Sequence, residues 1–301
     1  MVDVKPIDVL TDRSLAQWYV EDEVYKGMKL APLLGYGETK ARRYDFFTRE
    51  KTAEELFAEG VIEKPMPSAA GSELTLVNSG EMEVESTRMR QHGYRYIVEN
   101  DMMEEAPEAF LQDLQDLAYG ISTFIESSSA VAITSAAVDK NIALEDGNWD
   151  TSTQIAVDLS NFRSFMQRLD QRESDLDTLL YNGTNLDELR KYIIKKDGID
   201  NLKMIGQDIS YQQFMHYYIA NGISEGSLYG WNSARKPGSI IYRKLKGSYE
   251  PAKIQNGAQY RPVVNMCILN HDGMRPKTEY QFGVEFAIPI TRPNYLFMNN
   301  I

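Results

Sequence analysis

Residues 99–132 read ENDMMEEAPEAFLQDLQDLAYGISTFIESSSAVA, and this stretch decides the architecture. Ala109, Phe110, Leu114, Leu117, Ala118, Ile121, Phe124 and Ile125 recur at helical spacing and form one apolar stripe. Asp113, Asp116 and Glu126 fall on the opposite side and read as solvated. Asp101, Glu104, Glu105 and Glu108 crowd the start, where the positive end of a helix dipole favours carboxylates, and Pro107 suits a first turn. A helix from about Glu105 to Ala132 is roughly 40 Å long at about 1.5 Å per residue. An element of that length crosses a whole subunit as a spine.

Immediately before the spine, Leu74, Leu76, Met82, Val84, Tyr94, Tyr96 and Val98 sit at even positions, while Glu81, Glu83 and Glu85 sit at odd ones. Period two predicts a long strand with one wet side. Further upstream the charge is dense and mixed, from Lys40 to Lys51. Thr52 with Glu55 three residues on is a capping box for a short helix ending at Gly60, and Pro65, Pro67, Ser68 and Gly71 follow. The segment reads as a projecting loop whose return arm is that strand. At the start of the chain a short helix is expected from about Arg13 to Tyr25, with Leu15, Trp18, Tyr19 and Tyr25 as its stripe and Gly27 as its stop. Pro32, Gly35 and Gly37 then make a flexible tether. A lone helix of this length is marginal in water, so it must dock on its own domain or on another copy.

Downstream of the spine, helices and strands alternate from Leu144 to His271, which predicts a compact α/β lobe. Ser160 is expected to cap a helix carrying Phe162, Phe165, Met166 and Leu169. Leu176–Tyr181 and Leu202–Ile205 read as strands. Asn185 opens a helix with Leu186, Leu189, Ile193 and Ile194, and Ser210 caps one with Phe214, Met215, Tyr218 and Ile219. The last long strand carries Tyr280, Phe282, Val284, Phe286, Ile288 and Ile290 on one side and Glu279, Gln281, Glu285 and Thr291 on the other. Pro289 puts it at an edge or near its own end.

Composition narrows the function classes. The formal net charge of −12 over 301 residues argues against a nucleic-acid-binding face as the main activity, because such binding rests on neutralising phosphates. The charge is unevenly spread. No Lys or Arg occurs from Tyr96 to Asp139, while Arg235–Arg261 carries seven cations against Glu250 alone. Regions of opposite sign on one chain suit packing between copies, and solvated faces are the plainer explanation. The one cysteine, Cys267, sits in an apolar run and reads as a buried small hydrophobe. The first residues lack a signal-peptide layout and no window is apolar enough for a bilayer-spanning helix, so use without export is expected.

Catalytic chemistry finds little support in these residues. His92, His216 and His271 have no second His or Cys at metal spacing, and no nucleophile elbow or phosphate-binding loop occurs. Gly35–Lys40 has a faint phosphate-loop look and reads as a hinge. Glu104 and Glu108, one helical turn apart, could hold a divalent cation, but an acidic first turn that steadies the helix end accounts for them more simply. Tyr211, Phe214, Tyr217, Tyr218, Tyr229 and Trp231 could stack bases, yet no Lys or Arg is interleaved, so a core or a contact between subunits is expected. No catalytic residue, cofactor or metal is assigned.

The order of elements, with Gly93–Val98 and its acidic sequel, Asp177–Tyr181, and Phe282–Phe286 running on to Pro293, resembles the major capsid proteins of tailed viruses with the Hong Kong 97 phage fold. The resemblance spans nearly the whole chain. It implies an α+β capsid-type fold, with an N-arm at 1–36, an extended loop at 37–80, a β-rich peripheral domain with the spine helix at 81–140 and 276–301, and an α/β axial domain at 141–275. It implies a structural, non-enzymatic subunit of an icosahedral shell around double-stranded DNA, gathered as pentamers and hexamers in a virion and assembled in the host cytoplasm. The implied partners are further copies, a separate scaffolding protein, a portal, decoration proteins and weak non-specific contact with packaged DNA, with no membrane. An encapsulin-like nanocompartment shares this architecture and is the alternative; an α/β small-molecule-binding enzyme is a more distant one. For contacts between subunits, Arg42, Arg43, Arg49, Arg88 and Arg90 are expected to meet Glu104, Glu105 and Glu108 of a neighbour.

Overall fold

The computed structural model describes residues 13–48, 83–139, 141–149, 154–169, 176–197, 203–205, 208–211, 214–218, 223–245, 263–271, 273 and 276–301. In chain order the elements are α1 (Arg13–Gly27), a 3₁₀ turn (Ala31–Leu33), β1 (Gly35–Thr39), β2 (Arg43–Thr48), β3 (Glu83–Arg88), β4 (Arg90–Glu99), α2 (Asn100–Glu105), α3 (Pro107–Ala136) and β5 (Val138–Asp139). Then come α4 (Ile155–Leu169), β6 (Thr178–Tyr181), α5 (Gly183–Asp197), β7 (Lys203–Ile205), β8 (Asp208–Tyr211), β9 (Phe214–Tyr218), β10 (Ser227–Trp231) and β11 (Ser239–Arg243). The last are β12 (Asn265–His271), β13 (Lys277–Ala287), a second 3₁₀ turn (Pro293–Tyr295) and β14 (Phe297–Asn300). The chain divides into two compact units: 1–44 with 86–129 and 240–288, and 45–85 with 130–239 and 289–301. The expected capping-box helix at Thr52, the turns at Pro65–Gly71 and the strand residues before Glu83 lie outside the described residues.

The first unit is a sheet in the order β1-β11-β13-β12, with β4 on the other edge of β13. β4 and β13 pair antiparallel from Glu99↔Lys277 to Arg90↔Phe286. Period two puts Tyr280 and Phe286 on one face, and these meet the stripe of α3: Phe110 lies 5.1 Å from Tyr280 and Phe124 lies 5.7 Å from Phe286, ring to ring. Of the expected stripe, Phe110, Leu114, Ala118, Ile121 and Ile125 are buried. Burial of these five stabilises the packing by several kcal/mol, at about 1.5–3 kcal/mol for each large apolar side chain. The spine is therefore real, spans 30 residues, and begins at Pro107. Ala106, ahead of that proline, leaves the helical region at φ −137° and ψ 61°, so α2 and α3 are separate helices. Glu104 and Glu108 are consequently not one turn apart on one helix.

Several sequence-based expectations change here. Gly35–Lys40 is not a hinge: residues 35–39 form β1, paired within the sheet. The tether after α1 is docked, with Met28, Leu30, Ala31 and Leu34 buried, because the apolar run between the prolines and glycines seeks cover. The buried stripe of α1 is Ala16, Val20 and Val24, not Leu15, Trp18 and Tyr19, which are half-buried. A Cβ on Gly27 would stand 2.2 Å from the Ser122 hydroxyl oxygen, so α1 ends where only glycine lets it approach α3. Glu279 and Glu285, on the side of β13 opposite its apolar residues, are each 1% exposed, and β13 is an interior strand that ends before Pro289. Glu126, expected on the solvated side of the spine, is buried. Cys267 is only partly buried.

The second unit holds a sheet ordered β5-β14-β10-β6-β9-β8-β7. β6 and β9 run parallel, and β10 pairs antiparallel with both β6 and β14. Its core gathers Trp149, Leu159, Phe162, Leu179, Tyr181, Leu186, Leu189, Ile193, Phe214, Leu228 and Phe297. α5 is the helix expected near Asn185, opened instead by Asn182, whose side-chain oxygen accepts from the Thr184 amide at 3.0 Å. Ser160 is not a cap; it lies mid-way along α4, exposed, while the buried Asp158 accepts from the Glu145 amide at 2.8 Å and the Trp149 indole at 3.1 Å. The helix expected after Ser210 is the β8–β9 pair, Tyr211 opposite Phe214. There the pairing of β9 with β6 outweighs a short 3.6-residue pattern. Phe214, Tyr229 and Trp231 are core residues, and His216 sits in β9.

Candidate inter-subunit interface

The basic residues predicted to make contacts begin at the base of the β2–β3 ribbon. Met89 separates β3 from β4. It is 1% exposed, packs in an apolar cluster with Ile241 and Ala287, and donates its amide to the Arg42 carbonyl at 2.9 Å. An extended chain alternates sides, so an inward Met89 turns its neighbours Arg88 and Arg90 outward. Both are exposed, as is Arg42. Arg42, Arg88 and Arg90, with Met89 and Gln91, line one open cleft of about 310 Å³. Arg43 opens β2 and is exposed but does not line the cleft; Arg49 lies outside the described residues.

The predicted acidic partners end α2 and begin α3. Glu105 and Glu108 are exposed, flanking Ala106 and Pro107, and Asp101 is exposed one turn earlier; Glu104 belongs to α2. Among the described residues, neither Glu105 nor Glu108 forms an ion pair with these arginines within the chain. The structure thus presents a basic cleft and an acidic helix junction, both outward-facing, in the same unit.

Two buried carboxylates, Glu126 and Glu279, brace this unit. Glu126 on α3 accepts the amides of Leu30 at 2.8 Å and Ala31 at 2.9 Å, which anchors the segment after α1. Burial pushes its carboxyl pKa up, against the pull of those amides. Glu279 lies on the face of β13 away from α3 and accepts from Arg95 at 2.5 and 2.8 Å, from Gln281, and meets His271 Nε2 at 2.9 Å. The Arg95 hydrogen bonds come first and that of Gln281 next in lowering its carboxyl pKa to about 2. On the opposite face Tyr96 donates to Asp113 at 2.6 Å. Burial first and this bond second raise the Tyr96 hydroxyl pKa. The only sequence signal for the cleft was a lone apolar residue between two arginines. The carboxylate partners, drawn from far along the chain, left none.

Large apolar side chains are exposed at Phe47 and Val84 on the ribbon, and separately at Ile97, Met102 and Tyr119. Among the described residues no cluster of three metal-ligating side chains occurs, and no helix is long and apolar enough to cross a membrane.

One unit with a long helix laid along an antiparallel sheet that also carries an N-terminal helix, and one with a seven-stranded α/β sheet, are the capsid-type fold implied by the resemblance. The fold is similar to that of a virus-like particle from Pyrococcus furiosus, at 10% identity and TM-score 0.54, covering 94% of this chain and 97% of that one. It is similar also to the capsid of a native GTA particle (9%, TM-score 0.51, 90% and 89% covered) and to the SrpI encapsulin of Synechococcus elongatus (9%, TM-score 0.50, 90% and 86% covered). At such identities the likeness speaks for the fold. No protein-family model and no curated protein matches the sequence.

Proposed function

We propose that this protein is the major structural subunit of a closed icosahedral shell, a major capsid protein of a tailed virus that encloses double-stranded DNA. The observation that carries the proposal is the end-to-end likeness to the virus-like particle subunit, 94% of this chain against 97% of that one. Near-complete coverage in both directions leaves little of either chain for a different task. In this reading the chain is not an enzyme. It works in the virion after assembly in the host cytoplasm, as pentamers and hexamers, with a separate scaffolding protein, a portal, decoration proteins and weak contact with packaged DNA. Residues 1–36 serve as the N-arm, 37–80 as the extended loop, 81–140 with 276–301 as the peripheral domain, and 141–275 as the axial domain. Negative overall charge keeps packaged nucleic acid from adhering to the wall.

Arg42, Arg43, Arg49, Arg88 and Arg90 meet Glu104, Glu105 and Glu108 of a neighbour in this proposal, and charge complementarity between outward faces supports it. Electron microscopy and light scattering of the expressed chain, alone and with a scaffolding protein, test the shell: closed particles are expected, and a monomer at all concentrations overturns it. Glu104, Glu105 and Glu108 changed together to Lys should block assembly; normal particles from that variant remove the contact. The likeness to the SrpI encapsulin favours a nanocompartment as the second reading. A protein cargo co-purifying with the particles, in place of DNA, would select it.

A further inference from the structure

We propose that the cleft lined by Arg42, Arg88 and Arg90 is a receptor for clustered oxyanions: in the shell it takes the carboxylates of a second copy, and on a free subunit it takes a small polyphosphate that delays assembly. The carboxylate half rests on the shell reading above; the receptor itself does not.

Three exposed arginines, Arg42, Arg88 and Arg90, line one cleft of about 310 Å³. Each arginine presents planar donors in a fork that matches carboxylate and phosphate oxygens. Met89 ties the backbone of these residues together: its side chain is buried and its N–H donates to the Arg42 carbonyl at 2.9 Å. Among the described residues none of the three is in an ion pair. A concave wall of one sign focuses the field and raises the local concentration of anions. The matching anion on this chain is the α2–α3 junction, where Glu105 and Glu108 are exposed either side of Pro107, in a stretch without Lys or Arg from Tyr96 to Asp139. A polyphosphate offers the same oxygen chemistry at higher charge density, so it competes for the same donors.

Calorimetric titration of the unassembled full-length chain with sodium tripolyphosphate, at fixed ionic strength, tests the receptor. One site is expected. Arg42→Gln, Arg88→Gln and Arg90→Gln should each weaken it about tenfold, the scale of one lost charge-assisted hydrogen bond, and the triple variant should abolish it. The triple Arg→Lys variant keeps charge and surface while losing the fork, and should weaken binding by less than the triple Gln variant. Lys191→Gln, in the other unit, should change nothing. Tripolyphosphate should also slow particle formation by the natural sequence, read by light scattering. Binding that survives the triple Gln variant overturns the proposal, as does assembly indifferent to saturating tripolyphosphate. A chain that binds through these arginines yet forms no particles defeats the shell reading and leaves the receptor standing.

Discussion

Two of the buried carboxylates of the first unit, Glu126 and Glu279, solve one problem in opposite ways. Glu126, at the junction between α3 and the segment after α1, is held by backbone amides, whereas Glu279, on the outer face of β13, is held by Arg95, Gln281 and His271. Amides carry only partial charges, so burial wins at Glu126 and its pKa rises. A guanidinium carries a full charge in a fork that fits the carboxylate, so pairing wins at Glu279 and its pKa falls to about 2. The lesson is that a buried carboxylate's partner, more than its burial, sets the sign of its pH dependence.

The largest effect should come from Glu126→Ala, which leaves the buried amides of Leu30 and Ala31 without an acceptor. A loss of about 4 kcal/mol is expected, at about 1–3 kcal/mol for each orphaned group, measured by urea unfolding of the unassembled chain. Gly93→Ala tests the strand that carries Arg95 over Glu279. A Cβ there would stand 2.3 Å from the Phe282 carbonyl oxygen, backbone that cannot swing aside, so about 3 kcal/mol should be lost in the same assay.

The pH dependence separates the two carboxylates more sharply. For Glu279 the folded pKa lies below the ordinary 4.5, so its stabilisation is present above 4.5 and disappears as pH falls towards 2. For Glu126 the folded pKa lies above the ordinary value. Between the two values the folded chain retains a proton that the unfolded chain has released, and stability drops as pH rises through that window. Glu279→Gln should therefore flatten the acid limb of a stability-against-pH curve, and Glu126→Gln should flatten the limb above the ordinary carboxylate range. Arg95→Met should move the Glu279 titration, followed by carboxyl carbon NMR, back up towards 4.5; a titration still near 2 would break the comparison. The smallest change is expected from His271→Asn, because His271 stands behind Arg95 and Gln281 in its pull on Glu279.

Legibility from sequence followed the range of the interaction. Phe110, Leu114, Ala118, Ile121 and Ile125 declared the spine because a helix's face repeats within a few residues. The paired alternation of β4 and β13 was readable for the same reason. The burial of Glu279 on β13 was not readable, because its partner Arg95 lies 184 positions away. The strand β9 was read as a helix because its decisive neighbour, β6, lies more than thirty residues upstream. The arginines of the cleft could be named from sequence but not gathered: Arg42 is brought to Arg88 and Arg90 by the pairing of β2 with β3 and by the hydrogen bond from the Met89 amide.

Local periodicity and charge thus determined, from the sequence by itself, a chain of helices and strands with one long helix and segregated charge, while the capsid-type α+β architecture was what the resemblance implied. Tertiary structure alone decided which charges are buried, which converge, and which side of a strand is dry. Those outcomes depend on groups up to 96 positions apart at Glu126 and 184 at Glu279, a distance over which only the folded chain brings donor to acceptor.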